Sequence, residues 1–527
     1  MNQNINKVNK MTGEITTTNE GGMAYALSFK EEIVEFFCLG LLRGTFYQTE
    51  EEVLKNGKEL FERALKECPE FATKAAVYGN NVNSLKLVPM IWLAYVSTLE
   101  DKALFKAAFP KIIRNPGMLF NFMEIVRKTN IRKGLGRSLK KAMNDWMIEN
   151  LNEYQVSRNK NKLAEVVHVT RPASNDEVFQ NYMKYLIKDE LTFERAIALK
   201  SVIDSLSNGV YGEQERALVK AHRLQLEELK HAVKTLDDES KKTLYKDMYS
   251  SLSYAALILN LVALERVYAT KTTTVNKYSP SRGYYKSSMV VDTDIPRDVV
   301  EMVVARIEDL KAYRKSNMLP FALMNAEKMV VTREFKQAIA NVFAIAANEA
   351  FNIDKDTTLL LGVDTSGSMS GQMCNDHLSA ADVACMFGGM IRKSHPKTDV
   401  VAVATETKPV KVSTQMNVTE IAKAIERTDV GYGTYFENLM KFYKGQKYVI
   451  LITDSEQADN LEKKWKRAKR PDGSKLIVWQ LTASKTKISK DPSVINLCGY
   501  SDRILALVKT VIEGNVTQVE EVEAVIL

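Results

Sequence analysis

Residues 359–370 read LLLGVDTSGSMS. An apolar run ends on Asp364, and Ser366 and Ser368 follow at alternate positions with Gly367 turning the chain between them. A short, continuous apolar run bounded by turn residues is the pattern of a strand buried on both faces. The same pattern returns at 400–404 (VVAVA), 447–453 (KYVILIT) and 475–481 (KLIVWQL). Helical patterns lie between and after these runs, at 374–393, 418–427, 435–443 and 460–468. Buried strands alternating with helices predict a doubly wound α/β domain with a parallel sheet, beginning near Asp356. The ligand crevice of such a fold lies beyond the carboxyl ends of its strands.

That edge is where the chemistry collects. Asp364 closes the first strand, and Ser366 and Ser368 stand in the loop after it. GYGTYFENL (431–439) supplies Thr434 ahead of a helix, and LITDSE (451–456) supplies Asp454 at the end of a later strand. Two carboxylates and three hydroxyls form an oxygen-only donor set with positions left for water or a partner's carboxylate, which suits a small hard cation. Mg²⁺ is the first expectation, with Mn²⁺ or Ca²⁺ as alternatives. The D-x-S-x-S loop, the later Thr and the later strand-end Asp together have the pattern of a metal-ion-dependent adhesion site. By this pattern the C-terminal third resembles a von Willebrand factor A-type domain. Two blander readings stand beside it: cap and turn residues with no ion, or an ion bound for rigidity alone.

Upstream the period is different. FKEEIVEFFCLGLLR (29–43), EEEVLKNGKELFERALKE (50–67), KLVPMIWLAYVSTL (86–99), NPGMLFNFMEIVRK (115–128) and RSLKKAMNDWMIENL (137–151) carry apolar residues at three- and four-residue spacing. Such amphipathic helices, joined by short breaks over more than 300 residues, predict stacked antiparallel pairs of the HEAT kind. The expected division is a polar leader at 1–22, a helical-repeat module at 23–352 and the A-type domain at 353–527. One stretch has no helical period: KTTTVNKYSPSRGYYKSSMVVDTDIP (271–296) reads as a long loop or a short β-excursion.

Composition narrows the function. With 45% apolar and 26% charged residues the 527-residue chain is ordinary globular protein of two or three domains. No apolar run reaches bilayer length, the N-terminal residues have no secretory h-region, and five scattered cysteines form no CxxC pair. A cytoplasmic protein without membrane association is expected. GxxxxGK[ST], HExxH and GxSxG are all missing, so no enzyme is expected. A two-metal nuclease would need more carboxylates than Asp364 and Asp454. The net charge of +8 is mild, but its distribution is uneven. RKTNIRKGLGRSLKK (127–141) holds seven Lys/Arg and no acid, and KKWKRAKRPDGSK (463–475) holds seven with one acid. Such runs are commonly solvated helix faces; two of them point toward a polyanion. Arg132, Lys133, Arg137, Lys140 and Lys141 are the phosphate candidates of the first run. Tyr278, Tyr284 and Tyr285, interleaved with Lys277, Arg282 and Lys286, would suit stacking on unpaired bases.

FATKAAVYGNN (71–81), NPGMLFNFMEIVRK, GLGRSLKKAMNDWM (134–147), VVHVTRPAS (166–174) and SNMLPFALMNAEK (316–328) resemble characteristic segments of the TROVE-domain proteins, the Ro autoantigen-like RNA-binding family. The most specific is Gly136-Arg137 through Trp146, followed by His168 and Pro172. A helical module before an A domain is also that family's order. The resemblance implies a monomeric ring of helical repeats closed by the A domain. Single-stranded 3′ ends of misfolded RNA would enter its hole, and a small Y-like non-coding RNA would bind the basic outer surface. It further implies an exoribonuclease, such as polynucleotide phosphorylase, tethered through that RNA. His168 matches a Y RNA-contacting histidine of the family; Arg158 and Lys160 are the nearest basic candidates upstream, and Arg171 lies just beyond. The competing function is a metal-dependent protein-adhesion scaffold whose basic charge is incidental.

Overall fold

The computed structural model describes residues 14–40, 49–279, 284–316, 318, 320–372, 378–501, 503–514 and 516–527, with the side chains of 272–291, 320 and 321 left out. The chain divides into two compact units, residues 1–112 together with 344–527, and residues 113–343. The change of period near residue 352 marks where helices give way to strands. It does not mark which helices pack with the sheet, and the helices before residue 113 belong to the unit that holds it.

The first unit begins with a hairpin. Strands β1 (Ile15–Thr17) and β2 (Met23–Ala26) pair antiparallel, with Ile15 opposite Tyr25. Of the residues expected as a polar leader, 15–17 are therefore a strand. Helices Phe29–Leu39, Glu50–Glu67, Pro69–Val82, Leu87–Val96 and Ala103–Ile112 follow. Their starts are written locally: Ser28 with Glu31 and Thr49 with Glu52 form capping boxes, and Pro69 sits at the first helical position. Their apolar faces meet on an aromatic cluster in which Phe61 lies 5.4 Å from both Phe37 and Trp92 and 5.3 Å from Tyr95. The buried Trp92 indole donates to Thr73 Oγ1 at 3.0 Å. Burying each such ring stabilises by roughly 1.5–3 kcal/mol.

Within residues 113–343 helices near in sequence pack on one another, as a helical repeat requires: Pro116–Lys128 against Lys160–Thr170, Lys160–Thr170 against Glu177–Lys188, Glu194–Ser207 against Glu213–Ala221. A buried bidentate pair, Arg195 with Glu228 at 2.8 Å on both nitrogens, crosses this core. The stretch without helical period is a two-stranded antiparallel ribbon, β3 (Ala269–Ser279) with β4 (Tyr284–Thr293), in register Tyr278 to Tyr285. The β-excursion is what forms there; alternating Thr, Val, Tyr and Ser favour a pleated strand over an unstructured loop.

The remainder of the first unit is the α/β domain. Strands β5 (Leu359–Asp364), β6 (Asp399–Val403), β7 (Thr407–Pro409), β8 (Tyr448–Thr453), β9 (Lys475–Gln480), β10 (Thr486–Lys487) and β11 (Val494–Cys498) follow in the chain. Six of them form one sheet in the order β11-β9-β8-β5-β6-β7, parallel except at the β7 edge, while β10 pairs with β2 of the N-terminal hairpin. Helix Ala380–Ser394 lies so close to Val418–Glu426 that a Cβ on Gly389 would stand 2.6 Å from the Val418 carbonyl oxygen. On one face of the sheet Leu360, Val401, Leu451 and Val478 pack under Phe436, Leu439 and Trp465. No helix among the described residues is long and apolar enough to cross a membrane.

The N-terminal turn is gripped by the loop after β8. Gly22 N–H donates to the Gln457 carbonyl at 3.0 Å, and the Thr18 hydroxyl donates to the same oxygen. Asn19 gives its backbone N–H (2.7 Å) and its side-chain amide (2.9 Å) to the Glu456 carboxylate, and Gln457 Nε2 reaches the Met23 carbonyl at 2.7 Å. A glycine is required at 22, because a Cβ there would meet that Gln457 oxygen at 2.2 Å.

Candidate metal centre and nucleic-acid surface

In this sheet the strand order reverses between β5 and β8: the chain steps from β5 to β6 on one side, then returns to place β8 on the other. The two strand ends at that reversal carry Asp364 and, one residue past β8, Asp454, where a crevice is expected. Asp364, Ser366, Ser368, Thr434 and Asp454 are all buried, each 5% exposed or less. The loops that carry them are tied together. Gly367 N–H donates to the Tyr432 carbonyl (2.9 Å), and Ala458 N–H donates to the Thr434 carbonyl (2.8 Å). Thr365 N–H and Tyr435 N–H bond the end of β6 at the Val403 and Ala404 carbonyls.

The carboxylates are oriented by neighbours. Asp364 accepts from the Ser366 backbone N–H at 2.9 Å and from Thr453 Oγ1 at 2.7 Å. Asp454 accepts from Glu456 N–H at 3.1 Å, from Gln372 Nε2 at 3.3 Å and from the Ser368 hydroxyl. Ser366 Oγ lies 3.3 Å from Ser368 Oγ. Burial pushes the Asp364 carboxyl up to about 6. Asp454 is raised well above the carboxylate range, first by burial and then by the Asp364 charge. Two carboxylates that repel each other in a dry crevice need a proton or a cation. The donor set fits a hard divalent ion: among the described residues no third acid, cysteine or histidine joins a metal-holding cluster, so hydroxyls and water would complete the shell.

Glu456 and Glu35 lie behind this centre. Burial pushes both up to about 7, against hydrogen bonds from Asn19 to the first and from Ser484, Gln480 and Lys485 to the second. Ser455, at φ 66°, donates to Gln480 Oε1 at 3.4 Å, and Gln480 Nε2 donates to Glu35 at 2.6 Å. Sequence reasoning named the ligand candidates and missed the groups that orient them, Thr453, Gln372 and Glu456. Thr453 and Glu456 flank Asp454 within the quoted LITDSE run, which was the available signal. Nothing local marks Asn19.

Several of the basic candidates lie on or beside two helices of the helical unit that pack together. Helix Arg137–Asn150 packs on helix Lys160–Thr170, and Asn144 Nδ2 donates to the Thr170 carbonyl at 3.3 Å. Arg137 and Lys140 share the Asn144 face at helical spacing. Exposed His168 and Arg171 stand at the other side of the contact, Arg171 being the left-handed cap of its helix at φ 52°. Exposed Lys141 is paired with Asp145 at 2.8 Å, and Lys133 is exposed in the preceding loop. Other candidates are engaged within the fold. Arg132 Nε donates to the Gly134 carbonyl at 2.7 Å and staples that loop. Arg158 is exposed and bonds the Tyr154 hydroxyl. Lys160 pairs with Asp189 and lies 4.4 Å over the Tyr185 ring, which leaves it less charge to offer a phosphate. Arg282 and the side chain of Lys286 lie outside the described residues, as do the side chains of Lys277, Tyr278, Tyr284 and Tyr285.

Residues 358–512 match the family described as the Ro60 vWA domain. The crystal structure of the Deinococcus radiodurans Ro (RSR) protein superposes with a TM-score of 0.60 at 18% identity, covering 92% of this chain and 99% of that one. The superposition extends the likeness in fold from the A domain to the helices before it. Residues 358–512 are thus similar to the Ro60-type von Willebrand factor A domain, and the chain as a whole shares the fold of that Ro protein, helical repeats joined to an A-type domain.

Proposed function

We propose that this chain is a non-catalytic RNA-binding protein of Ro type, holding a small Y-like non-coding RNA on a basic outer surface and the single-stranded 3′ ends of structured or misfolded RNA within a monomeric ring. The observation that supports the reading is the packing of helix Arg137–Asn150, which carries Arg137 and Lys140, on helix Lys160–Thr170, which carries His168 and is capped by Arg171. Lys and Arg there would neutralise phosphates without selecting sequence, and His168 can stack on or hydrogen-bond a base. Mg²⁺ or a similar ion at Asp364 and Asp454 would fix the A-domain loops. An exoribonuclease tethered through the bound RNA fits the same reading, and so does a cytoplasmic location.

A structured RNA with a free 3′ tail should bind more tightly than its blunt counterpart, because a ring that admits one strand excludes a duplex. His168→Ala with Arg171→Ala should weaken binding of the stem and spare the tail. Affinities for tailed and blunt RNA within about twofold, roughly 0.4 kcal/mol, would count against threading.

A second reading has one observation in its favour. Tyr432, beside the metal loop, is 85% exposed, and an exposed aromatic next to an ion with open positions suits capture of a protein carboxylate. Partner capture that survives nuclease treatment and is lost with chelation would support this adhesion reading over RNA.

A further inference from the structure

The second basic run lies in the A domain, and the metal centre does not use it. Helix Leu461–Arg467 buries Leu461 and Trp465 completely under the sheet. Its opposite face and the following loop expose Lys463, Lys464, Lys466, Arg467 and Lys469. Arg470 lies 4.6 Å over the Trp465 ring and donates to Ser493 Oγ at 2.7 Å, which holds the loop against the helix. Lys464 shares Glu437 at 3.6 Å and Lys466 shares Glu462 at 2.9 Å. Among the described residues no acid pairs with Lys463, Arg467 or Lys469.

Helix stability does not account for this arrangement. Cations in the last turn complement the helix dipole, but Lys463 is the third residue of the helix, where a positive charge opposes it. Lys463 and Arg467 are also like charges at i, i+4, which costs a few tenths of a kcal/mol. A set of charges that mildly destabilises its own helix is suited to an anion from outside. Among the described residues no large apolar side chain is exposed between 461 and 475, whereas membrane-surface helices pair cations with apolar anchors. The run's one aromatic residue, Trp465, is buried, so the aromatic anchor of a protein hot spot is missing as well. Charge without apolar or aromatic anchors matches a phosphate backbone.

We infer that helix Leu461–Arg467 and the loop through Arg470 form a second RNA-phosphate contact, on the A domain itself, independent of the metal ion and of base sequence. For its partner this rests on the RNA reading above; the surface itself is new to that reading.

The test uses the full chain and an oligo(U) strand of about 30 nucleotides, long enough to cover more than one single-strand site. Binding is measured from roughly 50 to 200 mM salt. Lys463→Gln, Arg467→Gln and Lys469→Gln together should lower the salt slope by about two, since each single-strand contact is worth about 0.7, and weaken binding at least tenfold at the low-salt end. Ultraviolet crosslinking of the wild type to the same strand should label the peptide 461–475, a readout that needs no variant. RNA binding with an unchanged slope in the triple variant and no label on that peptide overturns the surface and leaves the RNA reading standing. A wild type that binds no RNA overturns both. Patch-dependent retention on phosphatidylserine vesicles, without any RNA effect, reassigns the surface to lipid and overturns the inference.

Discussion

Replacing Gly22 with alanine tests whether the N-terminal turn is part of the A-domain fold. The new methyl would stand 2.2 Å from the Gln457 carbonyl oxygen and 2.7 Å from that of Asp459. Both are backbone atoms of the loop that follows Asp454, so no side-chain rotation relieves the overlap and the turn must lift. Lifting it gives up the Gly22 N–H bond, about 1 kcal/mol, and the two Asn19 bonds to Glu456, about 1–2 kcal/mol each because that carboxyl, pushed up to about 7, is only partly ionised. Partial relaxation lowers the sum, so a loss on the order of 3 kcal/mol is expected. At roughly 2–4 °C per kcal/mol for a unit of this size, the Tm should fall by about 10 °C. Gly21→Ala is the internal control: at φ 89° with nothing within 4 Å of its Cβ, it carries only the left-handed backbone cost, about 1–2 kcal/mol. Calorimetry on the full chain, with hydrogen exchange at 15–26 and 454–460, reads both. A Gly22→Ala protein as stable as Gly21→Ala, with unchanged protection in both segments, would refute the close approach.

Mg²⁺ at about a hundred times its Kd should raise stability by about 2.7 kcal/mol. Asp364→Asn should abolish that shift while making the metal-free protein more stable, because one of two repelling buried carboxylates becomes neutral; calorimetry with and without chelator measures both signs. The buried Glu35 carboxyl at about 7 is raised above its unfolded value, so the folded state holds its proton longer, and stability falls as pH rises from about 4.5 to 7 and levels beyond. Glu35's share of that fall is on the order of 3 kcal/mol at full ionisation, and Glu35→Gln should remove that share in a pH series of urea melts, leaving the slope contributed by Glu456, Asp364 and Asp454. In the helical unit, Glu228→Ala leaves the Arg195 guanidinium buried without its counter-charge and should cost about 3–5 kcal/mol. A urea midpoint close to the wild type's would show that water, together with the Ser157 hydroxyl that already accepts from Arg195, makes up for the lost carboxylate.

What could be read from sequence depended on how far apart the interacting residues are. Strands β5, β6, β8 and β9 announce themselves because a strand buried on both faces needs every side chain apolar, and Asp364 and Asp454 follow from standing at the ends of such strands. Strands β7 and β10 are three and two residues long and carry no period. The clamp of Thr18, Asn19 and Gly22 on Glu456 and Gln457 joins residues more than 430 positions apart, and neither partner bears a mark of the other. The grouping of the first five helices with the A domain was hidden for a related reason. Amphipathic spacing shows that a helix has an apolar face, and gives no indication of what covers it. Arg137, Lys140, His168 and Arg171 could be named one by one, whereas the occupied state of Lys160 depends on Asp189, which caps the far end of the next helix, Glu177–Lys188.

The discontinuous first unit has a consequence for synthesis. Residues 14–112 are made early, yet Glu35 accepts from Gln480 and Ser484, the Cys38 thiol accepts from Gln518, and Ser501 donates to the Val82 carbonyl. All of those partners leave the ribosome some 400 residues later, a delay of roughly 20 to 80 s at ordinary elongation rates. Throughout that interval the unit spanning 113–343 can fold as an insert, while the faces of Phe29–Leu39 and Pro69–Val82 that will meet the A domain stay uncovered. The nascent chain therefore presents a persistent apolar surface at its leading end, the kind that holdase chaperones bind. Depleting them should lower the yield of this protein more than that of a protein with the same domains in sequential order.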